Sequence, residues 1–137
     1  MTAALDEVVK AALAGMRIVP VATASAAGVP NVVPLRFVRA VDDGTIVMAD
    51  NYMSKSARNL QENPQLALTV WDSASKQAFQ IKGHAETLTS GPVFDETVAW
   101  VSAEKPELKT KAAVVVAVTN VFVWQPGPDL GKDIYGE

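Results

Sequence analysis

No cysteine occurs in the 137 residues, and there is a single histidine, His84. A chain without cysteine has no disulfide framework, thiolate nucleophile or zinc–sulfur site, and one histidine cannot build a histidine cluster. Metal catalysis is therefore a poor expectation. A long apolar run is also missing: no stretch approaches the length that crosses a bilayer, and the opening MTAALDEVVK is acidic before any apolar segment. The expectation is a cytoplasmic protein with no membrane partner. Basic excess is lacking too, since 12 lysines and arginines face 15 acidic residues for a net charge of −3. No field of that sign gathers nucleic-acid phosphates, so no nucleic-acid partner is expected. Aromatic residues make up 7% of the chain. Trp71, Trp100 and Trp124 read most simply as core or interface residues, with Trp124 also able to line a pocket mouth beside the polar tail.

What is present describes an ordinary globular domain: 49% hydrophobic and 20% charged residues, in a length suited to one domain over residues 1–137. Leu5, Val8, Val9, Ala12, Leu13 and Met16 recur at helical spacing and predict an N-terminal helix within 1–16, ending near Gly15. The period then changes to strands: Ile18–Ala24, Asn31–Arg39 and Thr45–Asp50, separated by AAGVP and Asp42-Asp43-Gly44, which read as an antiparallel meander. Ser54 or Ser56 can cap a short helix with body Ala57–Glu62, stopped by Asn63-Pro64. Gln65–Trp71 and Gln77–Thr87 flank the polar turn 72–76, and Val93–Ala103 predicts a further amphipathic helix. Ala112–Val118 and Val121–Trp124 read as one or two strands, so rich in valine that burial on both faces is expected. The sum is a mainly β chain of six or seven antiparallel strands with three flanking helices, arranged as a closed or partly closed barrel. The tail, 126–137, has little to bury and is expected to fray or to dock on a partner.

The polar segment NYMSKSARNLQENP, residues 51–64, stands out. Backbone N–H groups at a helix start carry partial positive charge, so Lys55, Ser56 and Arg58 fit an anion site. The plainer alternative is a serine cap beside solvated cations. Lysine at a helix start is not where the helix dipole alone would place a cation, which favours a bound anion. Upstream, Asn31-Val-Val-Pro-Leu-Arg36 carries Pro34, and a proline inside a strand implies a sheet edge. Gln77 can reach a ligand edge or simply face solvent. His84 has no serine–aspartate constellation beside it and reads as a surface or satisfied residue. Asp6-Glu7, Asp42-Asp43 and the pair Glu104 and Glu107 read as solvated charges.

From Val19 to Thr87 the succession of these pieces resembles the pyridoxamine 5′-phosphate oxidase-like, FMN-binding split-barrel superfamily. The order is a strand with VATAS, a glycine turn, PNVVPLRFV, a hairpin into IVMAD, the loop and helix SKSARNLQENP, then LALTVWD and QIKGHAETL. The resemblance implies a six- to seven-stranded antiparallel split barrel that binds FMN. Lys55 and Ser56, with Arg36, would hold the FMN phosphate; Asn31, Val32, Val33 and Leu35 would lie along the isoalloxazine; Ala49 and Asp50 would stand near the ribityl chain or ring edge. It also implies a homodimer with the cofactor between subunits, so that Gln77 comes from the partner. The end FVWQPGPDLGKDI is similar to the family's substrate-binding stretch, but Asp129 and Gly131 stand where true oxidases place an arginine and a histidine. An acid there would repel a phosphoester. The implied function is an FMN-dependent oxidoreductase acting on an unidentified small-molecule substrate or electron donor, and not on pyridoxamine phosphate. Two alternatives stand beside it. One is a deazaflavin (F420) reductase, whose acidic cofactor needs more cations than Lys55, Arg58 and Arg36, with Lys82 as a further candidate. The other is a non-enzymatic flavin or haem carrier or sensor, for which His84 or a methionine would be the axial ligand.

Overall fold

The computed structural model describes residues 5–134; residues 1–4 of the expected N-terminal helix and 135–137 of the tail lie outside the described residues. Helix α1 runs Glu7–Ala14, and its apolar face buries Val9, Ala12 and Leu13. Val8 lies off that face and is exposed. Asp6 is more than a solvated charge: its carboxylate accepts a 2.9 Å hydrogen bond from Val9 N and caps the helix. Gly15 ends it, its N–H bonded to Ala11 O.

Seven strands follow: β1 (Val19–Ala24), β2 (Pro30–Leu35), β3 (Val38–Asp42), β4 (Thr45–Asp50), β5 (Gln65–Asp72), β6 (Gln77–Leu88) and β7 (Ala112–Val123). Helix α2 (Lys55–Glu62) separates β4 from β5, and α3 (Pro92–Glu104) separates β6 from β7. All seven strands form one antiparallel sheet in the order β2-β1-β5-β6-β7-β4-β3. The sheet curls into a half-barrel whose concave side is filled by Leu5, Val21, Ile46, Met48, Ile81 and Val116, each 2% exposed or less. The mainly β split barrel read from the sequence is therefore correct.

The meander is not. Residues 31–39 form no single strand; the chain leaves β2 at Leu35, crosses at Arg36-Phe37 and begins β3 at Val38, and those two strands lie at opposite edges of the sheet. Residues 32–38 are apolar but for Arg36 and contain no glycine or polar turn, so the sequence carries no mark of the break. What fixes the crossing is Phe37, which is 2% exposed, packs edge-on to Trp100 of α3 with centroids 5.4 Å apart, and accepts a 3.0 Å bond at its carbonyl from Ala49 N. The edge position of β2 agrees with Pro34, which sits opposite Pro20 in the β1 pairing.

β7 is one strand of 12 residues, and it is buried on both faces only over its first half; Ala117 and Thr119 are exposed. Its second half runs past the end of β4, and the tail occupies the free edge: Gly131 N and Ile134 N donate to Val123 O and Val121 O at 2.7 and 2.8 Å. Within the described residues the tail thus docks on its own strand, which satisfies edge groups that solvent would otherwise take. At the β3–β4 turn, Lys10 of α1 pairs with Asp43. The Gly44 amide donates to Asp42 and holds its carboxyl below the usual carboxylate range. Ionised Asp42 therefore favours the turn at neutral pH, and that contribution fades as pH falls through the lowered value.

A register shift in the β6–β7 ladder leaves Thr119 unpaired between the pairs Lys82–Asn120 and Gly83–Val118. A Cβ at Gly83 would meet Ala117 O and Val116 Cγ1, both at 2.6 Å. Gly83→Ala is expected to destabilise the fold by about 1–3 kcal/mol, the usual cost of overpacking, read from the midpoint of urea unfolding. A midpoint equal to wild type would show that the two long strands can separate to admit a methyl group.

Candidate functional site

The crossover at Arg36-Phe37 spans the open side of the half-barrel, and beside it lies a cavity of about 650 Å³. Such a volume falls within the roughly 300–1,000 Å³ of small-molecule sites. One wall is strand β2, where Asn31, Val33 and Leu35 share a face because side chains alternate along a strand. Ile18 extends that wall, and Ala49 of β4 with Phe37 continues it on the other side. The loop Asn51–Ser54 and Lys55 at the start of α2 form the polar end, while Lys105, Glu107 and Leu108, which follow α3, complete the rim. The arrangement is an apolar slot with cations at its ends.

The polar end is held in place by a buried hydrogen-bond cluster. Asn31 Nδ2 donates to Ser56 Oγ at 3.0 Å, and Asn59 Nδ2 donates to Thr23 Oγ1 at 3.0 Å. Thr23, Ser56 and Asn59 are at most 9% exposed, so the bonds lie out of competition with water and fix α2 against β1 and β2. Asp50 fixes the other flank: its carboxylate accepts from Met53 N at 2.9 Å and lies 3.7 Å from Lys111 Nζ. Asn51 accepts from Thr110 Oγ1 at 2.8 Å, tying the loop to the entry of β7. Neither serine caps α2 through its side chain. Ser54 occupies the N-cap position without a capping bond, and Ser56 lies inside the first turn. The first N–H groups of a helix have no intrahelical acceptor, so this start stays open to an anion at the cavity's polar end.

The sequence profile of the pyridoxamine 5′-phosphate oxidase family matches residues 5–125. The chain belongs to that family. An uncharacterised protein of Methanocaldococcus jannaschii, MJ0282, is 40% identical over 117 residues, covering 84% of this chain and 78% of its own. Among solved structures, HupZ of Group A Streptococcus superimposes with a TM-score of 0.80 at 24% identity, over 92% of this chain and 98% of its own. An FMN-binding protein of Syntrophomonas wolfei does so with a TM-score of 0.74 at 15% identity, over 84% and 82%. At those identities the two structures bear on the fold, which they share with this chain.

Of the residues singled out from the sequence, Asn31, Val33, Leu35, Arg36, Ala49 and Lys55 come together on the cavity wall. Val32 does not: it points to the opposite face of β2 and is 65% exposed, as the two-residue period of a strand requires. Asp50 and Ser56 are buried just behind the wall, and Gln77 sits at the β5–β6 turn, away from the cavity. Arg58, His84, Lys82, Trp124 and the tail residues Asp129 and Gly131 are likewise absent from the wall. Glu104 is not merely solvated, because it pairs with Arg36 at 2.9 Å. Tyr52, Met53, Lys105 and Leu108 are wall residues that the sequence reading passed over. Tyr52 and Met53 lay within the quoted polar segment and were legible there, whereas Lys105 and Leu108 reach the cavity from a distant helix exit and carry no local signal. Among the described residues no group of three His, Cys, Asp or Glu side chains is placed to hold a metal, and no helix is long and apolar enough to cross a membrane.

The burial of Ser56 separates its structural part from any contact with ligand. Ser56→Ala removes the nearer acceptor for Asn31, whose amide also lies 3.5 Å from Thr23 Oγ1, and is expected to lower stability by about 0.5–1.5 kcal/mol, the net contribution of one hydrogen bond, in urea unfolding of the ligand-free protein. No loss there would mean that the Asn31 amide finds water in place of the hydroxyl.

Proposed function

We propose that the cavity binds FMN and that the protein is an FMN-dependent oxidoreductase whose substrate is not pyridoxamine phosphate. The observation that carries this reading is the pairing, in one slot of about 650 Å³, of an apolar wall from Val33, Leu35 and Ala49 with a cationic end at Lys55 and the open start of α2. A flat ring suits the first and a phosphate monoester the second. Arg36 supports the fit, because its Nε is buried without a hydrogen-bond partner and the residue lies on the wall. In this reading Lys55 and the first-turn amides take the phosphate, Arg36 adds charge from the crossover, and Asn31, held by Ser56, meets the ring system through its remaining polar groups. Membership of a family named for a phosphate-bearing substrate and likeness to an FMN-binding protein point the same way.

When bound, flavin supplies the redox chemistry, so the protein needs neither thiol nor spare histidine to be an oxidoreductase. The chain's own residues bind, orient and shield. Tyr52, 79% exposed within the loop 51–54, leaves the slot open on one side. A second copy of the chain would close that side, and Gln77, remote from the cavity of its own chain, would then belong to the partner's site. Val32 on the outer face of β2 offers apolar surface for such pairing. Asp129 on the tail argues against a phosphoester substrate entering from there.

Two measurements test this reading. FMN titrated into the protein is expected to bind and quench, and Lys55→Ala is expected to weaken it roughly tenfold or more, since a hydrogen bond to a charged group contributes about 1.5–3 kcal/mol. Unchanged affinity in a folded variant would remove Lys55 from the phosphate site. Native mass spectrometry is expected to give a species of twice the 14.5 kDa chain mass. A monomer that retains flavin would refute a site shared between copies.

A further inference from the structure

Arg36 lies on the cavity wall, yet part of its charge is already engaged. Its Nη2 lies 2.9 Å from Oε1 of Glu104, the last residue of α3, 68 positions away in sequence. The two side chains are 35% and 44% exposed. An ion pair so open to solvent contributes little to folding, so stability does not explain the placement. The guanidinium is otherwise incompletely used: Nε is buried and has no acceptor, and the carbon of the group stands 5.3 Å from the centroid of the Phe37 ring. Lys55 and Lys105, the other cations of the wall, make no ion pair among the described residues. The cavity therefore holds two free cations and one that is masked.

We propose that Glu104 determines the anion affinity of this cavity by competing with the bound ligand for Arg36. The inference rests on the reading that the ligand carries a phosphate. An anion entering the slot meets Lys55 without competition, whereas at Arg36 it shares the guanidinium with a carboxylate already bonded to Nη2, which offsets part of the charge the anion would otherwise meet. The carboxylate arrives from α3, whose exit also supplies Lys105, Glu107 and Leu108 to the rim, so one helix end both shapes the mouth and sets how much positive charge lies beneath it. Glu107 gives an internal control: it lies on the cavity rim itself, three residues from Glu104, so its neutralisation removes the same charge without touching the Arg36 pair.

The test compares wild type with E104Q, E104D and E107Q, and E104Q alone with E104Q combined with R36A, using FMN, riboflavin and inorganic phosphate as probes. E104Q is expected to tighten FMN roughly two- to fivefold, the scale of one charge pair open to solvent, and to leave riboflavin, the same ring without the phosphate, unchanged. E104D keeps the carboxylate and should stay near wild type. Adding R36A should erase the gain, and E107Q should reproduce little of it. Equal tightening of FMN and riboflavin, a gain that survives R36A, or an equal gain from E107Q would each overturn the proposal, since all three point to wall shape or general field. If wild type takes up neither flavin, the flavin reading falls while Glu104 remains decided by phosphate alone. Phosphate should then raise the melting temperature of E104Q more than that of wild type, and identical shifts would overturn the inference.

Discussion

The burial of Phe37 is the constraint on which the rest of this structure depends. A seven-stranded sheet that curls but does not close leaves two edges, β2 and β3, on either side of an opening, and the chain must cross between them in two residues. Phe37 makes that crossing by lodging under Trp100 and accepting the Ala49 amide, so the opening is bridged by backbone and yet not filled. The cavity is what the bridge leaves uncovered. Because the same two residues carry Arg36, the step that fixes the topology also delivers a cation to the wall. Arg39, two residues after Phe37, lays its guanidinium 4.0 Å over the Trp100 ring, which strengthens the seating of α3 at this point.

A second device orients what the crossover exposes. Helix α2 has eight residues, too short to hold itself in water, and its start must nevertheless aim at the slot. Leu60 anchors one end in the core, but an apolar contact is tolerant of rotation. The bonds from Asn31 to Ser56 and from Asn59 to Thr23 are not, because hydrogen bonds are directional and the 3.0 Å contacts are lost if the helix turns, which leaves Asn31 only its longer 3.5 Å contact to Thr23 Oγ1. Buried polar groups here serve orientation, and the strand that lines the slot is the strand that holds the helix.

How much of this was legible follows from how local each signal is. The hairpins β1–β2, β3–β4 and β5–β6 were readable because glycine or polar turns sit between their strands in sequence. Helix α1 was readable from its apolar spacing and α2 from the Asn63-Pro64 stop, although the α1 cap, Asp6, was read as a solvated charge and neither serine caps α2 through its side chain. The jump from β2 to β3 was not, since no turn residue interrupts the apolar run around Arg36 and the burial of Phe37 depends on Trp100, 63 residues away in a helix that the pattern describes only by itself. Val32 was assigned to the ring beside Val33, although strand geometry puts neighbours on opposite faces; the error came from taking a motif as a unit where the period should have divided it. Ser56 was read as an outward hydroxyl, and what buries it is Asn31, a partner 25 positions distant. Acidic residues taken as solvated proved to have partners wherever a distant cation reached them, as Glu104 and Asp43 show.

The charge of the whole molecule and the charge of the slot run in opposite directions, and that opposition is informative. A net charge of −3 repels anions at long range, so nothing steers a phosphate toward this surface. Selectivity must then come from short-range terms inside the cavity, where Lys55, Lys105 and the α2 amides act within a few ångströms and solvent screens them less. Such a site favours a ligand that brings apolar surface along with its anion, because the ring's burial on Val33, Leu35 and Ala49 adds to a contact that charge alone would leave weak. A free phosphate obtains the second contribution and not the first. In the proposed FMN reading the slot would tell a phosphorylated heterocycle from inorganic anions by that apolar burial, without a strong attractive field.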